Sequence, residues 1–282
     1  MVIRDVRKSA CIKLNQAGVT NVAALEVLVL MKYVWETDEI GLVCMADKQA
    51  DDERLKRFEN LLARRLNGEP IAYLCGKKEF MSLEFEVNSS VLIPRGDTEC
   101  VVERAIFLCR NKERPSILDI GTGSGCIAVS LAASLPEAIV TGIDCFDNAL
   151  EVARRNALRY QAGISFIKMD ILKEEPEGAF DLIISNPPYI CSDEVCGLEK
   201  EVKDYEPLTA LDGGKDGLLF YRRIVSLAVL HLKKGGALVL EIGWNQAQLV
   251  CQLIDDQGCF SRPDIIFDLA GRSRGIYATK EE

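Results

Sequence analysis

The residues best suited to chemistry stand in two short loops, each following a run of apolar residues. One is Asn186-Pro187-Pro188-Tyr189, directly after Phe180-Asp181-Leu182-Ile183-Ile184-Ser185. The Asn186 side-chain carbonyl and the Pro187 backbone carbonyl are two neighbouring acceptors. Proline fixes φ and has no N–H, so two prolines make a stiff loop whose carbonyls stay free to accept. Such a pair can take both hydrogens of a planar –NH2 group. That turns its delocalised lone pair toward an electrophile and stabilises the positive charge that develops on nitrogen. Tyr189 can stack on the planar group.

The other loop, Gly121-Thr122-Gly123-Ser124-Gly125, follows the apolar run Ile117-Leu118-Asp119-Ile120. Glycines let the backbone turn tightly and approach a ligand, and the helix expected to start next presents free N–H groups. Asp144 lies nineteen residues past Gly125, at the end of the next expected strand, where an acid accepts from two ribose hydroxyls. The pattern is G-x-G-x-G, with Cys126 where a dinucleotide fingerprint wants Gly or Ala. Asp119, two residues before the loop, can receive a methionine ammonium or order the loop through water; a pyrophosphate makes little use of it. Met169-Asp170-Ile171 ends a third strand, where Asp170 can accept from an adenine amino group and Ile171 can cover the ring. The two loops together imply S-adenosyl-L-methionine as cofactor and methyl transfer to an amide or amino nitrogen.

The elements that must position these loops read off the periodicity. Before residue 75 the spacing is helical: Val22, Leu25 and Val29, then Leu55, Phe58, Leu61, Leu62 and Leu66, with Asn67-Gly68 and Pro70 as a stop. The charged face of that second helix, which includes Arg64 and Arg65, reads as solvated. Phe80, Leu83, Phe85 and Val87 alternate with polar residues, Asn88-Ser89-Ser90 punctuates, and Val91-Leu92-Ile93 follows, a pattern that predicts a β-hairpin. From Ser116 strands and helices alternate, which implies a parallel sheet covered on both faces. The expected organisation is a helical domain over 1–75, a hairpin connector over 76–96 and a methyltransferase domain over 97–282. The expected fold class is α/β: a Rossmann-like, doubly wound sheet with an antiparallel last strand. Ligands of such sheets sit beyond the carboxyl ends of the strands, which places the two loops face to face.

Composition narrows the partners. Lys and Arg number 34 against 43 Asp and Glu, a net charge of −9. That disfavours binding to a phosphate backbone, which needs clustered cations, so no stable nucleic-acid binding is expected. The eleven cysteines form no C-x-x-C pair and there is a single histidine, so neither a metal site nor a histidine base is expected. Unpaired cysteines of this kind suit a reducing cytoplasm. The best apolar stretch, Val22 to Met31, is short and interrupted by Glu26. No signal peptide or membrane anchor is visible, and a cytoplasmic location is expected.

With these residues read, the chain resembles the PrmC/HemK family, the glutamine-N5 methyltransferases of peptide chain release factors. The likeness rests on the catalytic loop together with Gly68-Glu69-Pro70-Ile71-Ala72-Tyr73-Leu74, Leu92-Ile93-Pro94-Arg95, Asp97-Thr98-Glu99, Glu206-Pro207, Gly213-Gly214, Asp216-Gly217-Leu218 and Glu241-Ile242-Gly243 with Gln246. It implies a helical N-terminal domain that helps hold the protein substrate, and class 1 release factors as that substrate. The methylated residue would be the glutamine of their Gly-Gly-Gln loop. By position it implies that Gly121 to Gly125, Asp144, Ile171 and Asn186 contact the cofactor, and Asn186 to Tyr189 the glutamine. Gly96 departs from the family's usual proline and Ile171 from a frequent aromatic. Two other readings stand beside this one. An adenine-N6 nucleic-acid methyltransferase would use the same loop on a flipped base. A non-catalytic adaptor on a methyltransferase fold would be free to lose the Asn186 loop, which is intact here.

Overall fold

The computed structural model describes residues 1–281, which form two compact units. The first comprises Met1–Lys77 and a later segment, Glu199–Tyr205. Its helices are α1 (Ile3–Ala17), α2 (Ala23–Trp35), α3 (Glu39–Cys44), α4 (Asp52–Leu66) and α5 (Ile71–Cys75). Helix α4 starts where the Asp51 side chain accepts from the backbone N–H of Glu53 and Arg54, a local cap for otherwise unpaired donors. Leu14, Val27, Leu30 and Met31 are fully buried, and Trp35 meets Phe58 edge-on at 5.7 Å. Arg65 is not on the solvated face expected of it. It is 1% exposed, bonds Glu26 through Nε and Nη2 at 2.8 and 2.9 Å, and reaches Glu201 at 2.8 Å. A buried guanidinium with two carboxylates is how the returning segment joins this unit, a pairing 136 positions apart that periodicity does not reveal.

The second unit comprises Lys78–Leu198 and Glu206–Glu282. It opens on the hairpin β1 (Lys77–Phe80) and β2 (Leu83–Glu86). The turn is at Met81-Ser82 (φ +50° and +60°), not at Asn88–Ser90, and Val91–Ile93 is not a strand. A two-residue turn with both residues left-handed normally announces itself by Asn-Gly; here it is made without glycine and was silent. The hairpin is expected as a connector, but Phe80 and Phe85 belong to this unit's own core, with Val101, Val102 and Val129.

Helix α6 (Glu99–Cys109) follows; then come β3 (Ser116–Ile120), α7 (Cys126–Ser134), β4 (Ile139–Asp144), α8 (Asp147–Arg159), β5 (Ser165–Lys168) and β6 (Phe180–Ser185). The short α9 (Ser192–Val195) and, in the returning segment, α10 (Lys200–Lys203) precede α11 (Leu219–His231). The chain ends with β7 (Leu232–Glu241), α12 (Ala247–Asp255), β8 (Asp264–Phe267) and β9 (Ser273–Thr279). The strand order is β5-β4-β3-β6-β7-β9-β8. Strands β3 to β7 pair in parallel, and β9 lies antiparallel between β7 and β8. This is the expected doubly wound sheet with an antiparallel last strand. Strands β3 and β6 are neighbours, with Ile120 opposite Ser185, so the two chemical loops leave the same end of the sheet side by side. Among the described residues no helix is long and apolar enough to cross a membrane.

Candidate active site

Both loops open into one cavity of the second unit. The glycine loop reverses direction between β3 and α7, with Gly121, Gly123 and Gly125 at φ +71°, +54° and +78°. At Gly125 an added Cβ would lie 3.0 Å from the Ala153 Cβ of α8, so glycine is required both by the backbone and by the close approach of that helix. The N–H groups of Gly121 and Thr122 donate to the Ile143 carbonyl at 2.9 and 3.0 Å. Asp144 accepts from the N–H of Gly123 at 2.9 Å and of Phe146 at 3.0 Å. Burial raises its carboxyl above the usual range, and each oxygen keeps a lone pair for a ligand hydroxyl. Asn156, 1% exposed, donates to the carbonyls of Ser124 (2.8 Å) and Glu86 (3.0 Å) and so ties this loop to β2.

The cavity wall contains Gly121, Thr122, Gly123, Ser124, Asp144, Asp170, Ile171, Asn186, Pro187 and Pro188. Three expected residues are not on it: Asp119, Gly125 and Tyr189. Asp119 is fully buried beneath the loop and accepts the Thr122 hydroxyl at 2.6 Å, leaving its Oδ1 without a partner. Its place fits the ordering of the loop rather than contact with a ligand, and burial pushes its carboxyl up to about 7. Asp170 accepts from Lys173 at 2.7 Å, which holds its carboxyl below the usual range. Ile171 is 7% exposed, and Met169, Phe220 and Ile224 complete the apolar wall around it. Phe220 escaped the sequence reading because it sits on a helix with nothing to mark it off from core residues. The Ile171 carbonyl is held by Arg223 Nε at 2.6 Å.

The catalytic loop is held from several sides. Ser185 donates to the Ile120 carbonyl at 2.7 Å, joining the two strand ends. Gln246 Nε2 donates to the Tyr189 carbonyl at 2.9 Å, while Gln246 Oε1 accepts from Gly243 N–H at 3.0 Å. Ile190 N–H donates to Leu211 O and Gly213 N–H to Ile190 O, at 3.0 and 2.8 Å. The crossing segment runs so close that a Cβ on Gly213 would sit 2.7 Å from Tyr189 Cα, and one on Gly217 2.5 Å from Tyr189 O. The Tyr189 ring packs on the core, and its hydroxyl is raised above the ordinary range by burial and then by nearby Glu241. Tyr189 therefore anchors the loop and does not face the cavity. Asn186 is half-buried, with its Nδ2 3.4 Å from Thr98 Oγ1.

The site offers a carboxylate for hydroxyls, an apolar wall for a flat ring, and the Asn186-Pro187 acceptors beside them. Among the described residues no cluster of His, Cys, Asp and Glu is arranged to hold a metal. Residues 105–197 match the family described as Methyltransferase small domain, and residues 5–76 the PrmC N-terminal domain. The chain is 43% identical over 254 residues to a release factor glutamine methyltransferase of Geobacter sulfurreducens, covering 89% of this chain and 88% of the relative. It is 37% identical to one of Bradyrhizobium diazoefficiens, covering 99% and 95%. A solved methyltransferase of Pyrococcus furiosus superposes with a TM-score of 0.54 at 23% identity, covering 79% of this chain and all of that one.

Proposed function

The chain belongs to the family of release factor glutamine methyltransferases, and on that premise we propose how its site works and on what. The reaction is methyl transfer from S-adenosylmethionine to the side-chain amide nitrogen, N5, of the glutamine in the Gly-Gly-Gln motif of class 1 release factors. The observation that carries this reading is the opening of the glycine loop and the Asn186 loop into one cavity.

The residues present fit the cofactor. Asp144 would hold the ribose hydroxyls, beside the tight turn that the glycine loop makes at the cavity wall. The wall of Ile171, Phe220 and Ile224 would cover the adenine, with Asp170 at its amino group. The bound cofactor supplies an electrophilic methyl group. The protein's part is to make a poor nucleophile react. Asn186 Oδ1 and the Pro187 carbonyl accept the two amide hydrogens, which turns the lone pair toward the methyl group and opposes the growing positive charge. Pro188 keeps the loop stiff, and Tyr189 fixes its far end through Gln246. The first unit, which carries none of these groups, docks the protein substrate.

Incubation with S-adenosylmethionine and an unmethylated class 1 release factor, followed by peptide mass spectrometry, tests the reading. One methyl group is expected on the Gly-Gly-Gln glutamine; methylation elsewhere, or of adenine in DNA instead, would sink it. Docking by the first unit predicts a much higher KM for a short Gly-Gly-Gln peptide than for the intact factor. Equal KM values would remove that role.

A further inference from the structure

The Asn186 loop is not the only part of the cavity wall that other elements hold. The turn after β5, residues 170–175, carries Asp170 and Ile171, the two groups proposed above to face an adenine. Within itself this turn is well closed. The Asp170 carbonyl accepts from the N–H of Lys173 at 2.9 Å and of Glu174 at 2.8 Å. The Asp170 N–H donates to Glu174 Oε1 at 2.9 Å, and the Leu172 N–H to Asp170 Oδ1 at 3.1 Å. These bonds fix the shape of the turn. They do not fix where it stands against the rest of the wall.

Arg223 of α11 does. Its Nε donates to the Ile171 carbonyl at 2.6 Å and its Nη2 to the Glu174 carbonyl at 2.9 Å. A guanidinium is rigid and planar, so two of its donors hold two carbonyls at a set spacing and direction. The same helix puts Phe220 and Ile224 on the cavity wall, three residues before Arg223 and one after it. One helix thus carries a piece of the wall together with the clamp that sets the turn against it. Ile171 has no ring to lay on a base, and Phe220 brings one, so the place of a flat base depends on how the turn meets the helix. A blander reading makes Arg223 a surface ion pair with Glu175. That contact is longer, 3.3 Å, to an exposed carboxylate, and pairs of this kind contribute little.

We propose that Arg223 is a positioning residue for cofactor selectivity: by clamping the 170–175 turn to α11 it fixes Asp170 at the adenine amino group, so that the site tells adenine from hypoxanthine. This deepens the adenine placement proposed above and rests on it. In adenine the exocyclic group donates N–H. In hypoxanthine an oxygen takes that place and the neighbouring ring nitrogen carries the proton. Asp170, paired with Lys173 at 2.7 Å, is ionised and only accepts. Held in place, it favours the amino group and opposes the oxygen. On a loose turn it can move over to the ring N–H, and the preference fades.

The test is calorimetric binding of S-adenosylhomocysteine and of S-inosylhomocysteine to the full chain, with folding checked by circular dichroism. Wild type should prefer the adenine ligand by at least about tenfold. Arg223→Met keeps an apolar stem and loses every donor; it should cut that preference by at least about threefold. Arg223→Lys keeps the charge without the fork and should shift the preference the same way. Glu175→Ala removes only the ion pair and should leave both affinities within about twofold of wild type. A general loss of stability lowers the bound fraction for both ligands alike, so their affinity ratio separates positioning from folding. The inference is overturned if the arginine variants keep the wild-type ratio within about twofold, or if Glu175→Ala loses it. A wild type that binds both ligands equally removes Asp170 from the amino group and the clamp's role with it. A wild type that binds neither ligand removes the cofactor reading itself, and this inference falls with it.

Discussion

The two loops that share the cavity leave neighbouring strands at the same end of the sheet, yet they are held by opposite means. The glycine loop is supported locally. Its N–H groups go to Ile143 and Asp144 at the end of the adjacent strand β4, and its left-handed turns are made by its own glycines. The Asn186 loop is supported by the rest of the unit: Thr98 from before α6, Gly213 and Gly217 from the segment before α11, Gln246 from after β7. The binding loop thus rests mainly on the neighbouring β4 and α8, and the reacting loop is assembled from further off. Distant lesions should therefore reach the rate of methyl transfer without reaching cofactor affinity.

That asymmetry can be broken in a definite order. Asn186→Ala, which removes an acceptor from the reacting nitrogen, should slow the chemical step by about 10²–10³, with cofactor affinity largely kept. Single-turnover kinetics reads it, and a rate near wild type would end the acceptor mechanism. Gly217→Ala comes next. Its Cβ would meet Tyr189 O at 2.5 Å and Gln246 Nε2 at 2.7 Å, at a φ of +70° that alanine resists. Misplacing the loop by about an ångström costs roughly 10²-fold, and binding of S-adenosylhomocysteine should barely change. Asp144→Ala should do the reverse. Loss of charge-assisted hydrogen bonds costs about 1.5–3 kcal/mol of cofactor affinity by calorimetry, while the rate at saturating cofactor stays close to wild type. If Gly217→Ala weakens cofactor binding as much as Asp144→Ala, the two loops are not independent.

The same contrast explains what was legible in the sequence. The glycine loop could be read because its determinants are contiguous: the strand, three glycines and an acid at the end of the next strand. The parallel sheet followed from alternation, and the antiparallel last strand was expected. The hairpin turn was misplaced because Met81-Ser82 adopts left-handed φ values without any residue that signals them. Helix α6 went unread although Val101, Val102, Ala105 and Cys109 recur at helical spacing and are all buried. Tyr189 was expected to stack on substrate; only the structure shows its ring turned into the core. The supports of the reacting loop lie up to 88 positions away, and spacing carries no trace of them. What was visible is Glu241, a lone charge closing the run Ala237-Leu238-Val239-Leu240.

That charge leads to the smallest expected effect, one on stability. The folded-state carboxyl of Glu241 is raised by burial to about 7 from an ordinary 4.5. A raised group contributes stability that is fully present below the unfolded pKa and is lost as pH rises through the folded one. Glu241 therefore costs the second unit nothing below pH 4.5 and its full penalty above about pH 7. Glu241→Gln keeps the shape and never ionises. It should raise the stability of this unit at pH 8 by on the order of 1–3 kcal/mol, with the gain shrinking toward zero as pH falls below 5, read by calorimetric unfolding at each pH. A variant with no gain at pH 8 would mean that Arg274 and Arg95 carry the ionised acid without penalty.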